Sequence, residues 1–181
     1  GGGYKRFMAA DPLGANRFRS RCAYAFDFDE NFVTTPALTA VSNLVENYLM
    51  HTNEPVGHLY PGKTANTLKQ IYTLVTRFPE NKIVLAHWGG GIFFFNLLKK
   101  EVKERLENVY FDTAASPFLY DPKIYRYALE IAGPDKVLFG SDFPLLNPAR
   151  YFSEFGNADL TKAQLDAISG LNAAKLLKLL P

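Results

Sequence analysis

Cysteine, histidine, long apolar runs and charge of one sign are all scarce in this sequence, and each scarcity excludes something. Cys22 is the one cysteine, so no internal disulfide can form, and a reducing, cytoplasmic setting is expected. No apolar run approaches the roughly 20 residues of a spanning helix, so no membrane partner is expected. Opposite charges nearly cancel, leaving a formal +2 with no block of one sign, so nucleic acid is not an expected partner either. The segment Lys99-Lys-Glu-Val-Lys-Glu-Arg105 mixes both signs and reads as a solvated helix face. There is no Gly-x-Ser-x-Gly elbow and no Cys/His nucleophile pattern, which leaves water as the expected nucleophile.

Apolar residues, by contrast, make up 48% of the 181 positions, enough for one substantial core and a single domain over residues 1–181. Ile83–His87, Val109–Ala114 and Val137–Asp142 read as short apolar strands, with Tyr48–His51 as a shorter fourth. Helical patterns separate them. Leu68, Ile71, Tyr72, Val75 and Phe78 recur at helical spacing. Gly89-Gly-Gly91 is expected to open a helix running to about Glu107. Asp121-Pro122 reads as the start of another, ending near Gly133. Thr161-Lys-Ala-Gln164 carries a capping-box pattern before the last helices. Alternating strands and helices with near-continuous apolar strands predict an α/β fold with a parallel sheet covered on both faces. In the first part of the chain, Arg6–Ala10 and Cys22–Asp29 are candidate strands, and Pro36–Glu46 is a candidate helix.

Three of the strand-like runs end in a chemical group: Tyr48-Leu-Met-His51, Ile83-Val-Leu-Ala-His87 and Val137-Leu-Phe-Gly-Ser-Asp142. Parallel sheets carry their chemistry at the carboxyl ends of the strands, so these groups are expected to share a site. Neutral imidazoles suit zinc and similar divalent ions. A carboxylate at Asp142 can bind a metal, take a proton, or simply cap the following loop. His58, in the polar loop after His51, and Trp88, next to His87, are the candidate substrate contacts. Asp112 lies inside a strand, where hydrogen bonding to a neighbouring site residue is one reading. Gly89-Gly-Gly91 matches no nucleotide-binding pattern and reads as a tight turn that permits close packing.

His51-Thr-Asn-Glu-Pro-Val-Gly-His-Leu-Tyr-Pro-Gly-Lys63, Ala86-His-Trp-Gly-Gly-Gly91, Val109-Tyr-Phe-Asp-Thr-Ala114, Leu138-Phe-Gly-Ser-Asp-Phe-Pro144 and Gly170-Leu-Asn-Ala-Ala-Lys-Leu-Leu177 together resemble the amidohydrolase superfamily. The likeness is greatest to its "amidohydrolase 2" branch of metal-dependent hydrolases and non-oxidative decarboxylases, over about residues 47–180. The resemblance implies a (β/α)8 TIM-barrel-like fold. It also implies a divalent metal, zinc or sometimes manganese, held by His51, His87 and Asp142, with Asp142 as the general base. One departure is plain. Family members carry a His-x-His on the first strand, and this sequence has none, its histidines being 51, 58 and 87. At 181 residues it is also short of the roughly 250 of a full barrel, so the expected barrel is incomplete, lacking its first strands.

The reaction expected first is metal-assisted attack of water on a carbonyl of a small organic or aromatic acid, ester, lactone or amide. The alternatives are non-oxidative decarboxylation of an aromatic acid at the same metal, and an inactive member acting as an interaction module. A small-molecule substrate and a homodimer complete the expectation.

Overall fold

The computed structural model describes residues 22–23, 47–57, 59, 60, 63 and 66–179. The candidate strand Arg6–Ala10, the candidate helix Pro36–Glu46 and His58 lie outside the described residues. Among the described residues, five parallel strands form one sheet in simple chain order: β1 (Cys22–Ala23), β2 (Asn47–Met50), β3 (Lys82–Leu85), β4 (Val109–Asp112) and β5 (Val137–Leu138). Tyr48 pairs with Ile83, Ile83 with Val109, and Phe111 with Val137. Sequential parallel neighbours require a crossover between each pair, and from β2 onward helices supply most of it. The result is an incomplete (β/α)-barrel-like fold.

The helices form where local signals converge. α1 (Leu68–Arg77) buries Ile71, Leu74 and Val75 along one stripe. Its start is a full capping box, in which Thr67 Oγ1 accepts from Gln70 N–H and Gln70 Oε1 accepts from Thr67 N–H. α2 (Glu101–Arg105) and α3 (Ser116–Leu119) are short. α4 (Lys123–Ala132) begins one residue after Pro122, and Asp121 Oδ1 accepts from Lys123 N–H at 2.9 Å. It stops at Gly133, whose φ of 113° ends the helix without a Cβ penalty. α5 (Ala149–Phe155) starts after Pro148, and α6 (Lys162–Asp166) opens with the Thr161–Gln164 capping box. A wide turn then leads into α7 (Asn172–Leu176).

One expectation from the sequence is overturned. No helix runs from Gly89 to Glu107. Residues 88–91 instead take left-handed backbone angles, tight 3-10 turns follow to Leu97, and only Glu101–Arg105 is α-helical. Glycines permit these angles because they take positive φ as readily as helical φ, and the close approach of Gly89 to Phe111 and of Gly90 to Asn53 selects them.

The strands place the core on one face of the sheet. Ile83, Leu85, Val109, Phe111 and Val137 alternate onto that face, where α1 and α4 cover them through Ile71, Leu74, Tyr125 and Leu129. Each such fully buried side chain contributes about 1.5–3 kcal/mol. Val84, Leu138 and Leu176 form a smaller cluster with Leu49 and Tyr110. Asn172 anchors α7 to the sheet by donating to the carbonyls of Pro134 and Val137, at 2.8 and 2.9 Å.

Candidate active site

The strands end slightly earlier than the apolar runs suggest. His51 follows β2 directly, His87 lies two residues past β3, and Asp142 lies four past β5. All three therefore sit on loops at the carboxyl edge of the sheet, where each loop is free to turn its side chain toward the strand ends.

The structure brings two of them together. The rings of His51 and His87 meet edge to face, with centroids 5.0 Å apart. Several contacts lock this approach. Asn66 Nδ2 donates to the His51 carbonyl at 3.0 Å, and the Thr52 hydroxyl donates to the Ala86 carbonyl beside His87. Gly90 passes the Asn53 backbone so closely that a Cβ would lie 2.3 Å from the Asn53 oxygen. Only glycine fits there, which explains one glycine of the 89–91 run by contact as well as by its φ of 60°.

His87 is nearly buried, and its partners define its tautomer. Nδ1 lies 2.9 Å from the Ala114 carbonyl. A carbonyl only accepts, so Nδ1 carries the proton and, in the neutral ring, Nε2 keeps the lone pair. The His87 backbone N–H donates to Asp112 Oδ1 at 2.9 Å, and the same oxygen accepts from Ala114 N–H at 3.0 Å. Burial is the largest influence on Asp112 and holds its carboxyl above the ordinary range. The nearby His87 and the two N–H donors pull it down, and the Asp142 carboxylate pushes it up again.

Asp142 follows a turn held from two sides. The Thr113 hydroxyl donates to the Gly140 carbonyl at 2.8 Å and accepts from Gly140 N–H at 3.1 Å. The Tyr151 hydroxyl donates to the Ser141 carbonyl at 3.0 Å. His87, Trp88, Ala115 and Asp142 all have φ between 54° and 59°, a left-handed conformation in non-glycine residues. Each costs about 1–2 kcal/mol, and four of them at the ends of β3, β4 and β5 mark strain concentrated where the candidate groups lie.

The candidate metal set fits in chemistry and falls short in number. Two imidazoles, one with a defined lone pair, suit a divalent ion. Among the described residues, however, no group of three His, Cys, Asp or Glu side chains gathers closely enough to hold one. Trp88, a candidate substrate contact in the sequence, is turned inward. Its ring is fully buried, packs edge-on to Tyr125 and donates to Ser116 Oγ at 3.0 Å, so it belongs to the wall behind the site.

A cleft of about 470 Å³ opens between the loops after β2, β3 and β4. Glu54, Tyr60, Lys63, Gly90, Phe118 and Tyr120 line it. The Tyr60 hydroxyl donates to Glu54 Oε2 at 3.2 Å. Burial and the Glu54 charge hold the Tyr60 phenol above its ordinary range and push Tyr120 up to about 12. Both phenols therefore stay protonated at neutral pH.

A parallel sheet in chain order, with two histidines at its carboxyl edge, is the architecture of barrel hydrolases and lyases that work from strand-end loops. Residues 48–179 match the profile of the amidohydrolase family, and the chain belongs to that family. Over 142 residues it is 28% identical to 6-methylsalicylic acid decarboxylase of Penicillium expansum, covering 66% of this chain and 43% of that protein. The fold is similar to that of 5-carboxyvanillate decarboxylase from Sphingomonas paucimobilis, with a TM-score of 0.69 at 19% identity over 90% of this chain and 60% of the other. It is also similar to dihydroxybenzoic acid decarboxylase from Polaromonas sp. JS666, solved with bound manganese and 2-nitroresorcinol. There the TM-score is 0.62 at 23% identity, over 80% of this chain and 53% of the other. The chain thus spans less than two thirds of the length of each of these relatives. No helix among the described residues is long and apolar enough to cross a membrane.

Proposed function

We propose that this site serves the non-oxidative decarboxylation of a small aromatic acid. The observation that carries the proposal is the pairing of His51 and His87, with His87 Nδ1 committed to the Ala114 carbonyl. Decarboxylation is preferred to hydrolysis, the first expectation from the sequence, because the relatives named above are decarboxylases of aromatic acids.

His51 and His87 would hold a divalent ion, manganese or zinc, with Asp142 as the candidate third donor. When bound, such an ion supplies positive charge for the substrate carboxylate and for an oxygen beside it on the ring. The chain's own groups do the rest. The cleft takes the ring against Tyr60, Phe118 and Tyr120. His58, two positions before Tyr60 in the sequence, is proposed as a substrate contact. The Asp142 carboxylate relays a proton from solvent to the ring carbon that bears the substrate carboxylate. The carbon–carbon bond then breaks, its electron pair returns to the ring, and carbon dioxide leaves. Asp142 ends ionised, as it began.

The test is product analysis with hydroxylated benzoic acids in the presence of manganese. Carbon dioxide and the matching phenol in equal amounts are expected. Asp142→Asn should slow their release by about 10²–10⁴-fold, the usual contribution of a positioned acid. Hydrolytic products without carbon dioxide would sink the proposal.

A further inference from the structure

Asp112 has no place in the proton transfer just described, yet it is buried and hydrogen-bonded beside His87. One of its oxygens, Oδ1, accepts from both His87 N–H and Ala114 N–H. The Ala114 carbonyl in turn accepts from His87 Nδ1–H. These three bonds form a closed ring. The Asp112 carboxyl oxygen holds the backbone N–H groups of His87 and Ala114, and so steadies the residue whose carbonyl selects the tautomer of the His87 imidazole.

The geometry needs such a brace. His87 has a φ of 54° and Ala115, just after the acceptor, a φ of 57°. Neither conformation is favourable for a side chain with a Cβ, so each persists only if neighbouring bonds hold it. From the other side, Gly140 closes on the carboxylate. A Cβ there would lie 3.1 Å from Asp112 Cγ and 3.2 Å from Oδ2. Thr113, the next residue after Asp112, holds Gly140 in place through both its carbonyl and its N–H.

We infer that Asp112 is a positioning residue that determines which ring nitrogen of His87 carries the lone pair facing the site. The inference rests on the proposed function only in taking that nitrogen as a metal ligand. The tautomer itself is a property of the metal-free chain. Outer contacts of this kind orient ligands and set their basicity.

The test uses the whole chain labelled with nitrogen-15. Its three histidines give three imidazole systems, and His87 is the one that disappears in His87→Ala. In the neutral His87 ring of the unsubstituted, metal-free chain, the proton should sit on Nδ1 and the lone pair on Nε2. Asp112→Asn keeps an oxygen that can accept both N–H bonds, and it should keep this signature. Asp112→Ala removes the acceptor, so the His87 signals should move to the averaged shifts of an unconstrained ring. Manganese affinity should then fall by about 10–100-fold.

Where Asp112→Ala does not fold, Gly140→Ala decides. It leaves the acceptor in place and presses on it, and should shift the His87 signals the same way by a smaller amount. A folded Asp112→Ala, or a Gly140→Ala standing in for it, with unchanged His87 signals would overturn the inference. So would an Asp112→Asn chain that behaves like Asp112→Ala, because charge would then be acting in place of hydrogen-bond geometry. If the unsubstituted chain releases no carbon dioxide but the tautomer responds as stated, the proposed reaction fails and the positioning role stands.

Discussion

The imidazoles of His51 and His87 lie edge to face at 5.0 Å, although they come from the ends of two different strands. Neighbouring strands in register bring their loops side by side, and Met50 is the partner of Leu85 in that register. If the pair binds a divalent ion, either substitution, His51→Ala or His87→Ala, should abolish stoichiometric manganese or zinc. Elemental analysis after dialysis measures this. Equal metal content in the unsubstituted and both substituted chains would count against the pair as ligands.

Gly90 offers a separate test of how the site is held. Gly90→Ala places a Cβ 2.3 Å from the Asn53 carbonyl oxygen at a φ of 60°. The backbone strain alone costs about 1–3 kcal/mol, and relieving the collision adds to it. Chemical denaturation should show this loss. Gly91→Ala meets no atom within 4 Å and should lose less, only what its φ of 89° imposes.

Glu154 makes a pH-dependent contribution. Burial raises its carboxyl above the ordinary value of 4.5, while the hydrogen bond from Tyr125 and the charge of Arg150 oppose the rise. A raised value means that the folded chain binds the proton more tightly than the unfolded chain. The stability it adds is complete below the ordinary carboxylate value and is lost as pH rises through the raised one. Glu154→Gln keeps an acceptor for Tyr125, whose hydroxyl donates to Glu154 Oε2 at 3.0 Å, and cannot ionise. Its melting temperature relative to the unsubstituted chain should therefore rise between acid and neutral pH. A constant difference across that range would refute the assignment.

Asn172 joins the last helix to the sheet. Its Nδ2 donates to two carbonyls, and the residue is nearly buried. Asn172→Ala leaves both carbonyls without this donor, a loss of about 1–3 kcal/mol. Urea unfolding is the measurement. The effect should appear as a lower midpoint with an unchanged slope.

Much of the fold could be read along the chain because its causes are local. The apolar runs at Ile83, Val109 and Val137 became β3, β4 and β5, and the Thr161–Gln164 box starts α6 as its spacing predicts. Thr67-Leu-Lys-Gln70 carries the same signature and starts α1, a signal the sequence reading passed over. The helix expected after Gly89 failed for a non-local reason. Gly89 packs against Phe111 and Gly90 against Asn53, and those contacts favour left-handed turns at residues that could otherwise have continued a helix.

By itself, the sequence determined the alternation of strands and helices, the family, and the presence of His51, His87 and Asp142 on loops at one edge of a parallel sheet. These follow from period, capping and motif, all of which act over a few residues. Only the tertiary structure decided that the two histidine rings meet, that Trp88 turns into the core, and that Asp112 and Thr113 brace the neighbouring loops. Those outcomes depend on strand register and on backbone groups far apart in the chain, which no local pattern encodes.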